Sequence, residues 1–226
     1  MMSHSDANRA SPALQSSLLS RHKHSVLLCA LVALLLLSPT IDDEGAEGVL
    51  LSLLFTIVLV VGTIIVSRVP RDLLFVLTLS STWLYLTWLH PVWSGSALDE
   101  ISGAVLAACT LYMAIILLVS VAKAEKVDHD VIGGAIAVYL LMGIAWTVIF
   151  VLIEGLYPGS FSLAESARGS IWDQLLYFSF ATLTTLGYGD VAPLTPIARI
   201  WAVLEAVCGT LFLAVLISRL VGLYKA

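Results

Sequence analysis

Charged residues are scarce in this sequence. Lys, Arg, Asp and Glu account for 12% of its 226 residues, while 59% of the residues are hydrophobic, and the mean hydropathy is +0.99. Soluble domains carry about 25% charged residues and about 45–50% apolar ones. The composition therefore excludes a soluble globular protein and predicts an integral membrane protein.

Cysteines and catalytic motifs are also scarce. Cys29, Cys109 and Cys208 lie within apolar runs at spacings that suit neither a metal site nor paired disulfides, so they are predicted to be packing residues. The sequence has no glycine-rich phosphate loop and no nucleophile motif, so neither an enzyme nor a cofactor is expected. The Asp-His-Asp run at 128–130 could suggest a proton or metal site, but a polar linker at the cytoplasmic surface is the favoured interpretation.

Apolar runs predict the fold class. A helix needs about 20 apolar residues to cross a hydrocarbon core of about 30 Å. Six runs predict transmembrane helices, although the first is short: 25–37, 49–67, 73–89, 101–122, 131–153 and 197–221. A seventh segment, 171–184, is too short to span and carries Asp173 and Gln174, which indicates a re-entrant half-helix. The expected fold is an all-α membrane protein.

The lysines and arginines are divided unevenly between the two sides of these spans. Of the eleven, only Arg168 and Arg199 fall on one side. The other nine fall on the opposite side: Arg9, Arg21, Lys23, Arg68, Arg71, Lys123, Lys126, Arg219 and Lys225. The positive-inside rule then predicts that both termini lie in the cytoplasm. A multi-pass protein of the plasma (inner) membrane is expected.

The beginning of the chain allows two interpretations. Residues 1–24 are polar and serine-rich at first and are predicted to be a disordered cytoplasmic tail. The basic run at 21–24 and the apolar residues after it resemble the start of a signal peptide. No small-x-small cleavage site follows, so a retained first helix is favoured.

The most informative stretch is the run TLTTLGYGD at 182–190. Its glycines reach positive φ without steric penalty, so the backbone can alternate and direct its carbonyls at one axis. Such carbonyls, with one threonine hydroxyl, can replace the hydration shell of K⁺. The residues expected to bind K⁺ in this way are Thr185, Leu186, Gly187, Tyr188 and Gly189. The run closely resembles the selectivity filter of the tetrameric potassium channel family.

The resemblance implies an architecture and a function. Four helices followed by a two-helix pore are similar to the six-helix members, with a peripheral unit at 25–126 and a pore domain at 127–226. One chain supplies one filter strand, so a homotetramer with three identical subunits is expected, surrounded by lipids and without nucleic acid. Passive K⁺ conduction is the expected function. A silent or regulatory subunit that acts as an interaction module is the alternative.

The fourth span bears on gating. A voltage sensor needs Arg or Lys at every third residue, each worth about 2.3 kcal/mol per 100 mV. Residues 101–122 contain no charge, so steep voltage dependence is not expected. A scaffold is the favoured role for the peripheral unit, and a lipid- or ligand-binding module remains open.

Several residues are expected to support the filter. Ser170 and Asp173 form a capping-box pattern at the start of the half-helix. The resemblance implies a hydrogen bond between Tyr177 and Asp190 and a supporting position for Thr184. It also implies that Tyr188 points into an aromatic cuff formed by Tyr177, Phe178 and Phe180 of the half-helix. Ala181 stands where some members carry a bracing glutamate.

The last span contains a carboxylate, Glu205, and a glycine, Gly209. A charge inside the membrane is costly, so Glu205 is expected to form hydrogen bonds behind the filter, with Thr182 or Thr184 as possible partners. A pore-facing sensor remains open. Gly209 suits either a gating hinge or close helix packing. Four residues recur at helical spacing and are predicted to line the inner cavity: Thr210, Leu213, Ile217 and Val221.

Overall fold

The computed structural model describes residues 23–37, 55–58, 60, 62, 70–89, 96–123, 129–163 and 170–224. The helices with defined bounds are α1 Lys23–Leu37, α2 Pro70–Leu89, α3 Ser96–Ala122, α4 His129–Leu156, α5 Ile171–Leu183 and α6 Pro196–Tyr224. Within the described residues the only β-type pairing is an isolated bridge between Phe161 and Pro193. The predicted all-α class is therefore confirmed.

Three helices are long and apolar enough to cross a membrane: Ile101–Ala122, His129–Leu156 and Pro196–Arg219. Two shorter apolar helices, His24–Leu37 and Leu74–Trp83, accompany them. The second predicted span, 49–67, lies mostly outside the described residues. Within it, the structure describes residues 55–58, 60 and 62, and these are helical. The predicted tail at 1–24 also lies outside them, apart from its last two residues. The chain is thus a helical membrane protein.

Helices from the predicted peripheral unit share one hydrophobic core with α4. Helices α1 and α3 both pack against α4, and α2 packs against α3. The shared core includes Leu27 of α1, Met113 and Leu117 of α3, and Leu141 and Ile144 of α4, each at most 1% exposed. Close van der Waals packing of this kind is what holds apolar helices together in a membrane. Helices α1 and α3 are therefore held directly on α4, the helix that corresponds to the outer helix of the predicted pore domain.

Asp130 docks the start of α1 onto the start of α4. Its Oδ1 atom accepts bonds from the backbone N–H groups of His24 at 2.9 Å and of Ser25 at 3.2 Å. Gly133 lets the two helices approach, since a Cβ there would lie 3.3 Å from the Ser25 hydroxyl. The interpretation of this run as a polar surface linker is therefore wrong for Asp130, which satisfies the free N–H groups of a helix terminus. The described residues contain no cluster of three potential metal ligands.

A second hydrophobic core holds α4, α5 and α6 together near the turn after α4. The rings of Phe150, Phe161 and Phe178 meet edge to face with centroids 5.1 to 5.4 Å apart. Ala198 of α6 joins this core. Aromatic pairs in this geometry contribute about 0.5–1.5 kcal/mol beyond their buried area. The half-helix α5 therefore packs against both α4 and α6. The run 182–190 begins at its C-terminal end.

Candidate ion-conduction site

A capping box fixes the start of the half-helix. The Ser170 hydroxyl accepts a bond from the Asp173 backbone N–H at 3.2 Å, and the Asp173 carboxylate accepts one from the Ser170 N–H at 3.2 Å. This local prediction is confirmed. The helix ends at Leu183, and the Thr184 hydroxyl donates to the Phe180 carbonyl at 2.6 Å. Both ends of the segment before the candidate filter are thus defined.

The backbone of the candidate filter alternates in handedness. Thr185, Gly187 and Gly189 have φ angles of +59°, +57° and +80°, so every second residue is left-handed. Glycine adopts such angles without penalty. A β-branched residue does so only when its surroundings impose it, at a cost of about 1–3 kcal/mol. The positive φ of Thr185 has no signature in the sequence, and it marks a position that the surrounding structure constrains.

The amide groups of this segment are held by the half-helix. The Ala181 carbonyl accepts bonds from the Leu186 N–H at 2.8 Å and the Gly187 N–H at 3.2 Å. Ala181 therefore anchors the segment through its backbone, although it has no carboxylate. Among the described residues, no hydrogen bond ends on the carbonyls of 185–188. These oxygens are left available to a ligand.

Hydrogen bonds fix the end of the run 182–190 and the residues that follow it. The Tyr177 hydroxyl donates to Asp190 Oδ1 at 2.9 Å, as expected from the resemblance. The following residues pair with the turn after α4, where the Leu194 N–H donates to the Ser160 carbonyl at 2.7 Å. The contact between Tyr177 and Asp190 is present, and its role in supporting a filter stays a prediction.

Tyr188 is not enclosed by a cuff within one chain. It is 72% exposed. Phe178 is instead buried against Phe150, and Phe180 lies on Gly143 of the outer helix. A Cβ at Gly143 would lie 2.6 Å from the Phe180 ring, so this glycine permits the close approach. Phe178 and Phe180 thus pack inside the chain, whereas Tyr177 is exposed and bonds Asp190.

Glu205 is fully buried and faces the interior of the subunit. Its Oε1 atom lies 2.5 Å from the Ser179 hydroxyl. The suggested partners Thr182 and Thr184 are therefore wrong, and the Thr184 hydroxyl bonds its own helix instead. Ser179 was missed, although a signal existed: it lies four residues from both Leu175 and Leu183, on the buried face of the half-helix.

Gly209 forms a close contact between α6 and the end of the half-helix. A Cβ at this position would lie 2.7 Å from the Leu183 carbonyl oxygen. Tyr139 of the outer helix donates to the same carbonyl at 2.9 Å. Helix α6 continues through Gly209. Of the two interpretations, close packing is present in the structure, and a hinge stays a prediction.

The inner helix α6 leaves most of its apolar surface uncovered. In the most apolar stretch of the span Pro196–Arg219, 17% of the residues are buried. The corresponding share in the span His129–Leu156 is 56%. Thr210, Leu213 and Ile217 are exposed, and the Thr210 hydroxyl donates to the Ala206 carbonyl at 2.7 Å. The side chain of Val221 lies outside what the structure describes. The exposed residues remain candidates for lining a cavity.

An apolar helical protein with a half-helix that leads into a segment of free carbonyls has the features of an ion channel. The family model described as ion channel matches residues 156–225. The chain is 38% identical over 89 residues to the inward rectifier potassium channel Kirbac3.1 of Paramagnetospirillum magnetotacticum. It is 34% identical over 71 residues to the potassium channel protein kcv of Paramecium bursaria Chlorella virus 1. The chain belongs to the potassium channel family.

These matches cover different shares of the proteins. The match to the viral channel spans 73% of that protein and 30% of this chain. The match to the inward rectifier spans 30% of that protein and 34% of this chain. Two-pore potassium channel 5 of Arabidopsis thaliana is 50% identical over 47 residues, or 12% of that protein and 21% of this chain. No solved structure matches the chain.

Proposed function

We propose that this chain is the subunit of a homotetrameric K⁺-selective channel that conducts K⁺ passively down its electrochemical gradient. The observation that carries the proposal is the alternating backbone of 185–189 with its free carbonyls. Alternating handedness directs successive carbonyls to one side, while the amides of Leu186 and Gly187 are held on the other side by Ala181. The K⁺ sites are formed by the carbonyls of Thr185, Leu186, Gly187 and Tyr188 and by the Thr185 hydroxyl.

Four copies complete the pore. One chain supplies one filter strand, and a ring of carbonyls around an ion requires several. The exposed apolar surface of α6 and the exposed Tyr188 ring support contacts with three identical subunits. The C-terminal end of the half-helix carries a partial negative charge of about half an elementary charge, which stabilises a cation in the central cavity. No basic residue in its last turn offsets this charge.

The inner helix forms the cavity and the gate of the proposed channel. Thr210, Leu213, Ile217 and Val221 line the cavity, and the bulky apolar residues among them close it by dewetting. Gly209 lets the helix pack closely on the half-helix and provides a position for bending. Tyr177, Asp190, Thr184 and Glu205 support the filter.

The proposed topology has six spans with both termini in the cytoplasm of the plasma (inner) membrane. The peripheral unit, 25–126, acts as a scaffold for the pore domain, 127–226. The uncharged span Ile101–Ala122 provides no gating charge, and the channel is therefore not steeply voltage-gated.

Two glycines with positive φ provide a matched test. Gly187 (φ +57°) lies in the filter and Gly159 (φ +81°) in the turn after α4, and an added Cβ meets nothing within 4 Å at either position. Both alanine variants incur a similar backbone cost of about 1–2 kcal/mol. In liposomes containing the purified protein, Gly187→Ala is expected to abolish K⁺-selective flux, and Gly159→Ala to retain it.

The same measurement separates the channel from a regulatory subunit. Wild-type protein that conducts K⁺ without any partner supports the proposal. Absence of flux from correctly assembled tetramers contradicts it and favours the interaction module. A Gly187→Ala channel with unchanged K⁺ over Na⁺ selectivity contradicts the assignment of the filter.

A further inference from the structure

Three helices of the pore meet at one buried serine. Ser179 of the half-helix is fully buried. Its Oγ atom lies 2.8 Å from the Gly143 carbonyl oxygen of the outer helix and 2.5 Å from Glu205 Oε1 of the inner helix. Both distances are within the range of O–H···O hydrogen bonds. The serine is therefore a point at which hydrogen bonds attach the half-helix to both of its neighbours.

The number of protons decides how these two bonds form. A serine hydroxyl has one proton to donate, and a backbone carbonyl can only accept. If Ser179 donates to Gly143, the proton between Ser179 and Glu205 has to come from Glu205. An ionised carboxylate cannot donate. The two short contacts are satisfied together only when the carboxyl group of Glu205 carries a proton.

We propose that Glu205 is a protonated carboxyl group that donates to Ser179, which in turn donates to Gly143, and that this relay positions the half-helix and the filter. The relay is defined by these three residues. It deepens the role of Glu205 in the proposed function by adding Ser179 as a positioning residue and by specifying the direction of each bond.

The surroundings of Glu205 agree with a neutral group. Its second oxygen, Oε2, is buried and has no hydrogen-bond partner among the described residues. No ion pair with Glu205 is found in that part of the chain. The titratable group that faces it from α4 is the Tyr139 hydroxyl, which donates to the Leu183 carbonyl. An ionised carboxylate without a cation would be strongly disfavoured at such a buried position.

The relay acts on the filter through the half-helix. Ser179 lies two residues before Ala181, whose carbonyl accepts the amides of Leu186 and Gly187. A shift of the half-helix at Ser179 would move that carbonyl, and the filter amides would have to follow. The relay and the filter are therefore linked by one short, continuous segment of backbone.

Infrared spectroscopy of the full-length protein in lipid at neutral pH tests the protonation state. A protonated carboxyl group has a carbonyl stretch that is separate from the carboxylate bands and shifts in D₂O. We expect this band in the wild type, its loss in Glu205→Gln, and a shift to higher frequency in Ser179→Ala, because the carboxyl group loses its acceptor. Absence of the band from the wild type overturns the proposal without any variant. A band that Ser179→Ala leaves unchanged also overturns it.

A matched pair of variants tests the positioning role. Thr147 donates to the same Gly143 carbonyl at 2.9 Å, but from within the outer helix. Ser179→Ala removes both hydrogen bonds of the serine and is expected to cause a clear loss of K⁺ over Na⁺ selectivity in liposomes, because the half-helix loses its attachment to the outer and the inner helix at this position. Thr147→Val is expected to leave selectivity unchanged. Equal losses in the two variants would contradict the relay.

Two variants of Glu205 complete the experiment. Glu205→Gln keeps a donor at the position and is expected to retain selectivity, whereas Glu205→Leu keeps none and is expected to behave like Ser179→Ala. A fully selective Glu205→Leu channel overturns the positioning role. Since the infrared band does not depend on conduction, a wild type that shows the band but conducts no K⁺ contradicts the proposed function and leaves the assignment of the protons intact.

Discussion

The peripheral helices and the pore use their hydroxyl groups in different ways. In α2 and α3, the hydroxyls of Thr78, Thr82 and Thr110 donate to carbonyls three or four residues earlier in the same helix. The hydroxyls of Thr147 and Thr210 in α4 and α6 form such bonds as well. In addition, however, the hydroxyls of Tyr139 and Ser179 donate to carbonyls of a different helix, whereas the contact of this kind described between α2 and α3 is the weaker one between the Ser80 hydroxyl and the Cys109 sulfur at 3.5 Å. A bond within one helix satisfies the hydroxyl but holds no two helices together. A bond between helices fixes their relative position.

This difference indicates how each region keeps its geometry. The peripheral helices are held mainly by apolar packing, which tolerates small shifts of flexible side chains. The half-helix is held on its neighbours by directional bonds at Ser179 and at its last carbonyl. A filter that replaces the hydration shell of an ion requires that precision, whereas a scaffold does not. We therefore expect matched substitutions to be more damaging in the pore than in the peripheral helices.

The largest effect is expected from glycines at close contacts. A Cβ at Gly209 would meet the Leu183 carbonyl oxygen at 2.7 Å, and one at Gly62 would lie still closer to the end of the flexible Met113 side chain. A backbone carbonyl cannot move aside as a methionine can. Gly209→Ala is expected to destabilise the protein by about 1–3 kcal/mol, measured as a lower melting temperature, with reduced K⁺ flux.

Gly62→Ala is the control for that variant. It is expected to change the melting temperature less and to preserve K⁺ flux, even though its nominal clash is the shorter one. If Gly62→Ala were the more damaging of the two, the proposed contrast between a precise pore and a tolerant scaffold would be wrong.

The next effect concerns the contact that joins the two regions. Asp130 holds two backbone N–H groups at the start of α1. Asp130→Ala is expected to cost about 0.5–2 kcal/mol, as for other helix caps, and to loosen α1. Faster proteolysis near His24 would detect this loosening, and K⁺ selectivity should stay unchanged because the filter contacts remain. A loss of selectivity would show that the peripheral helices also set the filter geometry.

A smaller effect is expected from removing single hydroxyl groups. Tyr139→Phe removes the bond to the Leu183 carbonyl and is expected to cost about 0.5–1.5 kcal/mol. Thr110→Val removes a buried hydroxyl that bonds only its own helix, and it should be close to neutral. Melting temperatures of the two variants compare the regions directly. A neutral Tyr139→Phe would contradict the importance of bonds between helices in the pore.

The smallest effect is expected from the membrane voltage on the conductance of the channel. The span Ile101–Ala122 has no charge, so the peripheral helices contribute no gating charge there. Conductance measured across a planar bilayer should change only weakly with voltage. A steep curve would mean that gating charge moves elsewhere in the channel.

Local patterns in the sequence were sufficient to predict five of the helices and the residue at which the half-helix begins. Five apolar runs coincide with helices of the structure. Helix α3 begins earlier than its run, at Ser96, because its first turn contains Asp99 and Glu100 and was therefore not part of the apolar run. The capping box of Ser170 and Asp173 follows from a spacing of three residues. The contact between Tyr177 and Asp190 followed from a family resemblance over a short segment. Each of these features depends on residues that are close along the chain.

The tertiary structure decided the partners of the buried polar groups. Ser179 binds Glu205 at a separation of 26 residues, and Asp130 binds His24 at a separation of 106. The sequence left Gly209 open between a hinge and close packing, and it suggested the wrong threonines for Glu205. Hydropathy indicates which helix faces are apolar, but it does not indicate which faces contact each other. Only the packing of α4, α5 and α6 against one another determines that a serine, a carboxyl group and a carbonyl share one buried point.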